Sequence, residues 1–331
     1  MITLVAGDLA TLDREVEKIR GLAYADGTKA NLNSQWKNYF TFCTTFNLQA
    51  IPATVTTLCR YIAYLCRSLK SYQSIKNYLH GVSVLHKHHD APFVGLSNYN
   101  IRLMLQSVRK NLGNTPLAKL PIELWMLSAF SQCLNLSVPK DAAFFSALLI
   151  AFFGFLRKSN VVPASAETFD PRRHLSRGNI ICTPDSLTLC LQLTKTQQNR
   201  DASSTIAISA FDHALNPVAV YLNYTKLVPA PDTAPAFVFT DTYSRLTSFT
   251  HSAFVQRLKE LLGIIGVDPK QYSGHSLRRG GCSLAYRAGV GKELLQHHGT
   301  WRSDCYQRYI DFSPQQQLSV TRAMGDMCNS I

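Results

Sequence analysis

The segment 274–310 holds side chains that could bind a phosphate group. His275 and Arg278 are three residues apart in GHSLRRGG, at the predicted start of a helix, so their side chains share one face. The free backbone N–H groups and the helix dipole at such a start also favour an anion. The spacing therefore predicts a site that could hold one phosphate.

Two further groups of residues add to this chemistry. The stretch from Trp301 to Tyr309 supplies an indole, a phenol and two arginines, and FFGFLRKSN places Arg157 directly after a long apolar segment. An arginine rooted on a rigid buried helix is suited to bidentate phosphate contact. Each residue alone has an ordinary explanation as a capping histidine, a solvated arginine or a surface tyrosine. Together they favour phosphate chemistry.

Several other enzyme motifs are incomplete. GVGKE at 289–293 is not a phosphate-binding loop, because Tyr286 replaces its first glycine and Glu293 its final Ser or Thr. GHSLR at 274–278 lacks the closing glycine of a serine-hydrolase elbow. The histidine cluster at 86–89 has one acidic neighbour and no cysteine, so we expect a solvated helix end there and no metal site.

The chain is strongly basic. Its 331 residues include 34 Lys and Arg against 21 Asp and Glu, a formal net charge of +13 at pH 7. Charged residues make up only 17%, below the roughly 25% typical of soluble domains. The excess of positive charge therefore reflects a shortage of acidic residues. This balance suits a folded surface that faces phosphates. A basic protein with no particular partner is the alternative.

The cysteines and the apolar stretches indicate the cellular compartment in which the protein works. The nine cysteines are scattered without a C-x-x-C pair, so we expect reduced thiols in an intracellular protein, without disulfides or a zinc module. The first residues lack a basic segment followed by an apolar one, so we expect no secretory signal. The longest apolar stretch, 142–156, is too short to cross a bilayer and predicts a buried helix. We expect no membrane partner.

The periodicity of apolar residues predicts a mainly α fold with a small antiparallel β-sheet. Residues 1–112 show helical spacing, as at Ile75, Leu79 and Val82, and 113–121 contains the Gly and Pro residues of a linker. The expected elements after the linker are helices at 122–134 and 141–157, strands at 187–193 and 205–209 joined by a polar turn at 196–204, a helix opened by Asn216-Pro217, and further helices from about 249.

The basic and aromatic residues occur in the order of a known family. The chain resembles the tyrosine recombinases of the phage-integrase class, whose order is arginine, hairpin lysine, His-x-x-Arg, His or Trp, and tyrosine. The matching residues are Arg157 in GFLRKSN, Lys195 in LQLTKTQ, His275 and Arg278 in HSLR, Trp301 in GTW, and Tyr309 in YQRYI. The likeness covers the catalytic half, and the N-terminal half resembles the family's core-binding domain more loosely. FFGFLRKSN and the segment around Tyr309 further resemble recombinases of eukaryotic mobile elements, including DIRS-like and Ngaro-like retrotransposons and Cryptons, which implies a nuclear protein.

The resemblance implies an enzyme that cuts and rejoins double-stranded DNA. Its expected parts are a core-binding domain at 1–112, a linker at 113–121 and a catalytic domain at 122–331. Tyr309 would attack the phosphodiester, the two arginines would hold the phosphate oxygens, Lys195 would protonate the leaving oxygen, and His275 would accept the phenol proton or steady the phosphate. Trp301 would donate its indole N–H. Neither a metal nor another cofactor is expected, nor a small-molecule substrate, and strand exchange implies a homotetramer built as a dimer of dimers.

Phosphate contacts by the N-terminal half are expected from its basic residues. Arg60 and Arg67 are seven residues apart and therefore share a helix face. The proposed DNA-contacting set is Arg60, Arg67, Lys70, Lys76, Arg109 and Lys110. A solvated basic face explains any one of these residues equally well.

Some features depart from the family pattern or leave alternatives open. Asn160 stands where the family usually has Glu or Asp, and Tyr306 is a rival nucleophile because Trp301 to Tyr309 is one residue shorter than in well-known members. Lys195 is also explained as a solvated hairpin lysine. The function alternatives are a recombinase-derived DNA-binding protein that no longer cuts and a type IB topoisomerase. The His-x-x-Arg arrangement favours a recombinase, since those topoisomerases commonly carry Lys in place of that His.

Overall fold

The computed structural model describes residues 9–112, 119–192 and 204–310, together with Leu318, Thr321, Arg322 and Met324. The chain forms two compact units, residues 1–118 and 119–331. Residues 113–118 of the predicted linker lie outside the described residues. Within those described ranges, no helix combines the length and the apolar character that crossing a bilayer requires.

The first unit is helical. Its elements are α1 (Leu9–Leu22), α2 (Asp26–Thr45), α3 (Val55–Cys66), α4 (Tyr72–His88) and α5 (Tyr99–Leu112). The core forms where α2 to α5 bury aromatic and aliphatic side chains against one another, among them Tyr39, Phe42, Tyr61 and Leu79. The Thr54 hydroxyl accepts a hydrogen bond from the Thr57 N–H and so caps the start of α3.

The expectation of a solvated histidine cluster is wrong for His86. Its side chain is fully buried, with Nδ1 2.8 Å from the Val82 carbonyl oxygen. The Ala53 backbone N–H donates to Nε2 over 2.8 Å. Both ring nitrogens are therefore satisfied inside the protein, which lets a polar side chain occupy a core position at low cost.

The second unit combines helices with two small antiparallel sheets. Its helices are α6 (Leu124–Cys133), α7 (Pro139–Phe153), α8 (Lys158–Val161), α9 (Pro217–Leu227), α10 (His251–Ile264), α11 (His275–Arg287) and α12 (Lys292–His298). Every residue of α7 from Ala142 to Phe152 is buried, which accounts for the long apolar stretch. The Asn216 side chain caps α9, and Pro217 is its first residue, as the sequence predicts.

The strands are β1 (Ile180–Cys182), β2 (Ser186–Leu191), β3 (Ser204–Ser209), β4 (Val238–Thr240) and β5 (Leu246–Ser248). One sheet has the order β1-β2-β3, and β4 pairs with β5 as a hairpin. Leu187, Leu189 and Leu191 face the core, as the alternating pattern predicts. The expected fold class, mainly α with a small antiparallel sheet, is confirmed. The sequence does not predict β1, β4 and β5, because strands of three residues give too little alternation to detect.

Candidate functional site

Helix α11 begins at His275, the residue at which the sequence predicts a helix start. Arg278 lies one turn further on and is almost fully buried, with 2% of its surface exposed. Its Nη2 donates to the Gly299 carbonyl over 2.6 Å, and its Nη1 donates to the Phe155 carbonyl. The guanidinium carbon lies 4.1 Å from the centre of the Trp301 ring. Two backbone acceptors and an aromatic face thus fix this cation in place.

Arg157 does not lie on the long buried helix, which corrects the sequence prediction of a helix over 141–157. Helix α7 ends at Phe153, and the chain turns at Phe155, whose φ is +47°. Arg157 is the N-cap of the short helix α8. The apolar pattern overstates the helix length because Phe155 and Leu156 are also buried, although they are not helical.

The two arginines are close enough to influence each other. Burial, reinforced by the charge of Arg157, lowers the pKa of the Arg278 guanidinium to about 9. Burial also lowers the pKa of Arg157, and the neighbouring Tyr309 phenol opposes that shift. A partly desolvated pair of like charges favours a bound anion, because an anion would stabilise the charged form of both groups.

Tyr309 ends a 3₁₀ helix, Asp304–Tyr309, and its hydroxyl lies 2.5 Å from His275 Nε2. The centres of the two rings are 5.3 Å apart, and the Trp301 ring centre is 5.7 Å from that of Tyr309. The rival tyrosine, Tyr306, has only 3% of its surface exposed and packs against Trp301. Of the two phenols, the structure places that of Tyr309 against the imidazole of His275.

Asn160, which stands where the resemblance leads one to expect a carboxylate, is buried. Its side-chain amide donates to the Arg173 carbonyl over 3.4 Å, and its backbone N–H donates to the Arg157 carbonyl over 2.8 Å. The residue therefore fixes the backbone around α8, the segment that presents Arg157.

Ser283 lies two turns after His275 on α11, and its sequence position did not indicate a role in the site. Its hydroxyl donates to the backbone carbonyl of Tyr309, and the residue is buried. The serine thus ties the end of the 3₁₀ helix to the helix that carries His275. From the sequence, Ser283 could equally be an ordinary polar residue of a helix, because nothing in the spacing pairs position 283 with position 309.

The Ser283→Ala variant should position Tyr309 less well. Losing one hydrogen bond of about 1 kcal/mol should slow any reaction of the Tyr309 hydroxyl by roughly fivefold. DNA affinity should be unchanged, because Ser283 is buried away from solvent. Single-turnover kinetics at saturating DNA, with a separate binding titration, measure the two quantities. A fall in affinity at an unchanged rate would contradict this role.

His298, at the end of α12, packs beside the site. Its Nε2 donates to the Phe153 carbonyl over 2.8 Å, and its ring contacts that of Phe155 edge to face. Burial lowers the pKa of His298, and it also lowers the pKa of His174 and of His251 in the same unit.

The stability of the second unit should therefore fall in mild acid. Because the pKa of each of these histidines is lower in the folded than in the unfolded chain, the unfolded chain binds protons first as the pH falls below about 6.5. Stability should be fully present above that value and decrease below it. Urea denaturation at pH 7.5 and pH 5.5 measures the change, and His298→Gln should reduce it. Equal stability at both values would contradict the prediction.

Seven further residues were predicted to take part in catalysis or DNA binding. Lys195 lies outside the described residues. Arg60, Arg67, Lys70, Lys76, Arg109 and Lys110 are all exposed and belong to the first unit. Arg60 and Arg67 border a cavity of about 370 Å³ whose walls include Phe42, Phe46 and Tyr64. In the parts of the chain that the structure covers, no three His, Cys, Asp or Glu side chains are grouped so as to hold a metal ion.

The chain is similar to recombinases in sequence and in fold. It is 22% identical over 328 residues to an integrase/recombinase XerD homolog of Selenomonas ruminantium, a match that covers 96% of this chain and 88% of the relative. No protein-family model matches the chain.

Three solved structures are similar to it over most of their length. The Tn1549 transposon integrase in complex with transposon right end DNA has a TM-score of 0.62 at 12% identity, covering 94% of this chain and 98% of that one. The XerH site-specific recombinase in a post-cleavage complex with a palindromic difH substrate has a TM-score of 0.55 at 14% identity, covering 87% and 76%. A lambda integrase dimer bound to a COC′ core site has a TM-score of 0.55 at 14% identity, covering 92% and 95%. The chain thus has the fold of the tyrosine recombinases.

Proposed function

We propose that this protein is a site-specific DNA recombinase that cuts and rejoins strands through a covalent 3′-phosphotyrosine. One observation carries the proposal: the Tyr309 hydroxyl lies 2.5 Å from His275 Nε2, and both Arg157, which is partly buried, and Arg278, which is buried, are near enough for their pKa values to respond to Tyr309. A nucleophile beside a possible base and two cations suits attack on a phosphodiester. The similarity to recombinases named above supports the same class.

The reaction conserves bond energy and so needs no nucleotide cofactor. The Tyr309 oxygen forms a bond to phosphorus, the bond from phosphorus to the 5′-oxygen breaks, and the phenol proton passes to a base for which His275 is placed. Lys195 is proposed to protonate the leaving 5′-oxygen. Arg157 and Arg278 hold the non-bridging oxygens, whose charge grows in the transition state. A second 5′-hydroxyl then attacks the phosphotyrosine and releases Tyr309.

Double-stranded DNA is the proposed substrate, and the exposed basic residues of the first unit are proposed to contact its phosphates. Neutralising phosphates by Lys and Arg supplies most of the sequence-independent affinity of such proteins. The proposed assembly is a homotetramer, a dimer of dimers, because exchange between two duplexes takes four cuts. We extend the proposal to integration or excision of a mobile element in a nucleus, on the resemblance of FFGFLRKSN to eukaryotic mobile-element recombinases.

The test begins by selecting duplexes that the protein binds from random DNA. The selected duplex is then nicked near its centre. Cleavage close to the nick releases a short fragment that carries the 5′-hydroxyl, and the covalent adduct accumulates because that fragment diffuses away. The proposal predicts a covalent adduct on denaturing gels whose linkage is to a 3′-phosphate. Binding without an adduct on nicks at any position would instead show a recombinase-derived protein that no longer cuts. Relaxation of supercoiled DNA by the monomer, without strand exchange, would show a topoisomerase.

A further inference from the structure

The segment 119–123, here called the strap, lies in contact with α11 from one end to the other. The Leu120 N–H donates to the Gln271 carbonyl over 2.9 Å, and the Ile122 N–H donates to the Ser276 carbonyl over 3.0 Å. Five extended residues span up to about 17 Å and a helix of α11's length about 20 Å. The strap is therefore long enough to run along most of the helix that carries His275 and Arg278.

Side chains extend the contact to the far end of α11. Arg279 Nη1 donates to the Lys119 carbonyl over 3.3 Å. Arg287 Nη2, in the last turn, lies 2.6 Å from Glu123 Oε2, with 43% and 29% of the two side chains exposed. The strap is thus bonded to the residues before α11, to its first two turns and to its last turn.

Consecutive glycines hold α11 between the strap and α7. A Cβ at position 280 would overlap the Ile122 carbonyl, and a Cβ at position 281 would overlap the Phe152 carbonyl. The backbone of the strap and that of α7 can approach α11 this closely only because positions 280 and 281 lack side chains. We call this arrangement of Gly280 and Gly281 between the carbonyls of Ile122 and Phe152 the clamp. The α7 side of this clamp continues into Phe155, whose carbonyl accepts from Arg278. The placement of α11 between the two carbonyls therefore sets where Arg278 and His275 lie.

We propose that the strap is a positioning element for the reaction: it fixes α11 at the place where the side chains of His275 and Arg278 are correctly oriented toward the Tyr309 hydroxyl. The inference rests on the proposed function. Among the described residues, no hydrogen bond, ion pair or ring contact joins the strap to Tyr309, Arg157 or the Arg278 guanidinium, so the strap acts through the helix. It predicts that loosening the strap lowers the rate of cleavage and leaves DNA affinity unchanged.

The test compares variants by adduct formation at saturating concentrations of the selected, nicked duplex. Glu123→Ala and Arg287→Ala should each slow the reaction by about two- to fivefold, the fold-change of one partly exposed ion pair. The double variant should be no slower than either single one, because both remove the same contact. Glu123→Gln keeps an oxygen that accepts from Arg287 and should restore most of the rate.

Gly280→Ala tests the clamp itself. A displacement of about 1 Å in an active site can cost on the order of a hundredfold, so we expect at least a tenfold loss of rate. Gly291→Ala is the matched control, since a Cβ at that position has nothing within 4 Å. Arg257→Ala is the control for the ion pair, because Arg257 bonds Asp141 over 3.0 Å and Glu260 over 3.4 Å, and neither partner belongs to the strap or to α11.

The outcomes separate the two proposals. If the wild-type protein forms no adduct, the proposed function fails. If the wild-type protein forms the adduct and Glu123→Ala, Arg287→Ala and Gly280→Ala all react at the wild-type rate, the positioning role of the strap is wrong. A purely structural strap would lower the melting temperature of these variants and of Arg257→Ala alike, with no change in rate at 25 °C, and this result would also overturn the inference.

Discussion

Replacing Tyr309 by phenylalanine should abolish the covalent protein–DNA adduct and leave DNA binding intact. The variant removes one oxygen, the atom that lies 2.5 Å from His275 Nε2. Loss of a catalytic nucleophile typically costs on the order of ten-thousandfold or more in rate. The ring itself still packs against Trp301, so folding should be preserved.

Tyr306→Phe is the matched control for this experiment. The two tyrosines are three residues apart and pack on the same indole. Tyr306 is buried, so its variant loses a hydroxyl that the site does not use, and the adduct should form within a fewfold of the wild-type rate. An adduct that survives Tyr309→Phe and disappears with Tyr306→Phe would transfer the role of nucleophile to Tyr306. Denaturing gels with the nicked duplex read both variants directly.

The residues of α11 were predictable because their chemistry repeats at helical spacing. A helix that begins at His275 places Arg278 on the same side one turn later, and the sequence alone gives both facts. The alternation of Leu187, Leu189 and Leu191 gave β2 in the same way. Periodicity works at these positions because one face of each element is buried and the other is not.

Periodicity fails where burial continues beyond an element. Phe155 and Leu156 are buried after α7 has ended, so the apolar pattern extended the helix to Arg157. The backbone partners of Arg278 could not be found from sequence either, because the carbonyls of Phe155 and Gly299 belong to residues whose types carry no signal. The clue that sequence did offer was Gly280-Gly281, since paired glycines inside a helix usually mark a close approach of another backbone.

Replacing Arg278 by lysine should slow adduct formation by roughly a hundred- to a thousandfold, or about 3 to 4 kcal/mol, the usual cost of losing one preorganised donor to a developing charge. Lysine keeps the positive charge. It cannot, however, bond the Phe155 and Gly299 carbonyls, lie flat on the Trp301 ring and present a fork to phosphate at the same time. If only the positive charge of residue 278 mattered, the lysine variant would react at nearly the wild-type rate. The variant therefore separates the effect of charge from that of geometry.

Arg177→Lys provides the control that makes this experiment decisive. Arg177 is also a buried arginine of the second unit, with Nη2 donating to the Val228 carbonyl over 3.0 Å and its guanidinium carbon 4.3 Å from the centre of the Tyr224 ring. Both variants lose a stacked, hydrogen-bonded guanidinium and keep the positive charge, so both should lower the melting temperature by similar amounts. Only Arg278→Lys should lower the rate at saturating DNA. Equal losses of rate in the two variants would show that Arg278 supports the fold and does not act on the phosphate.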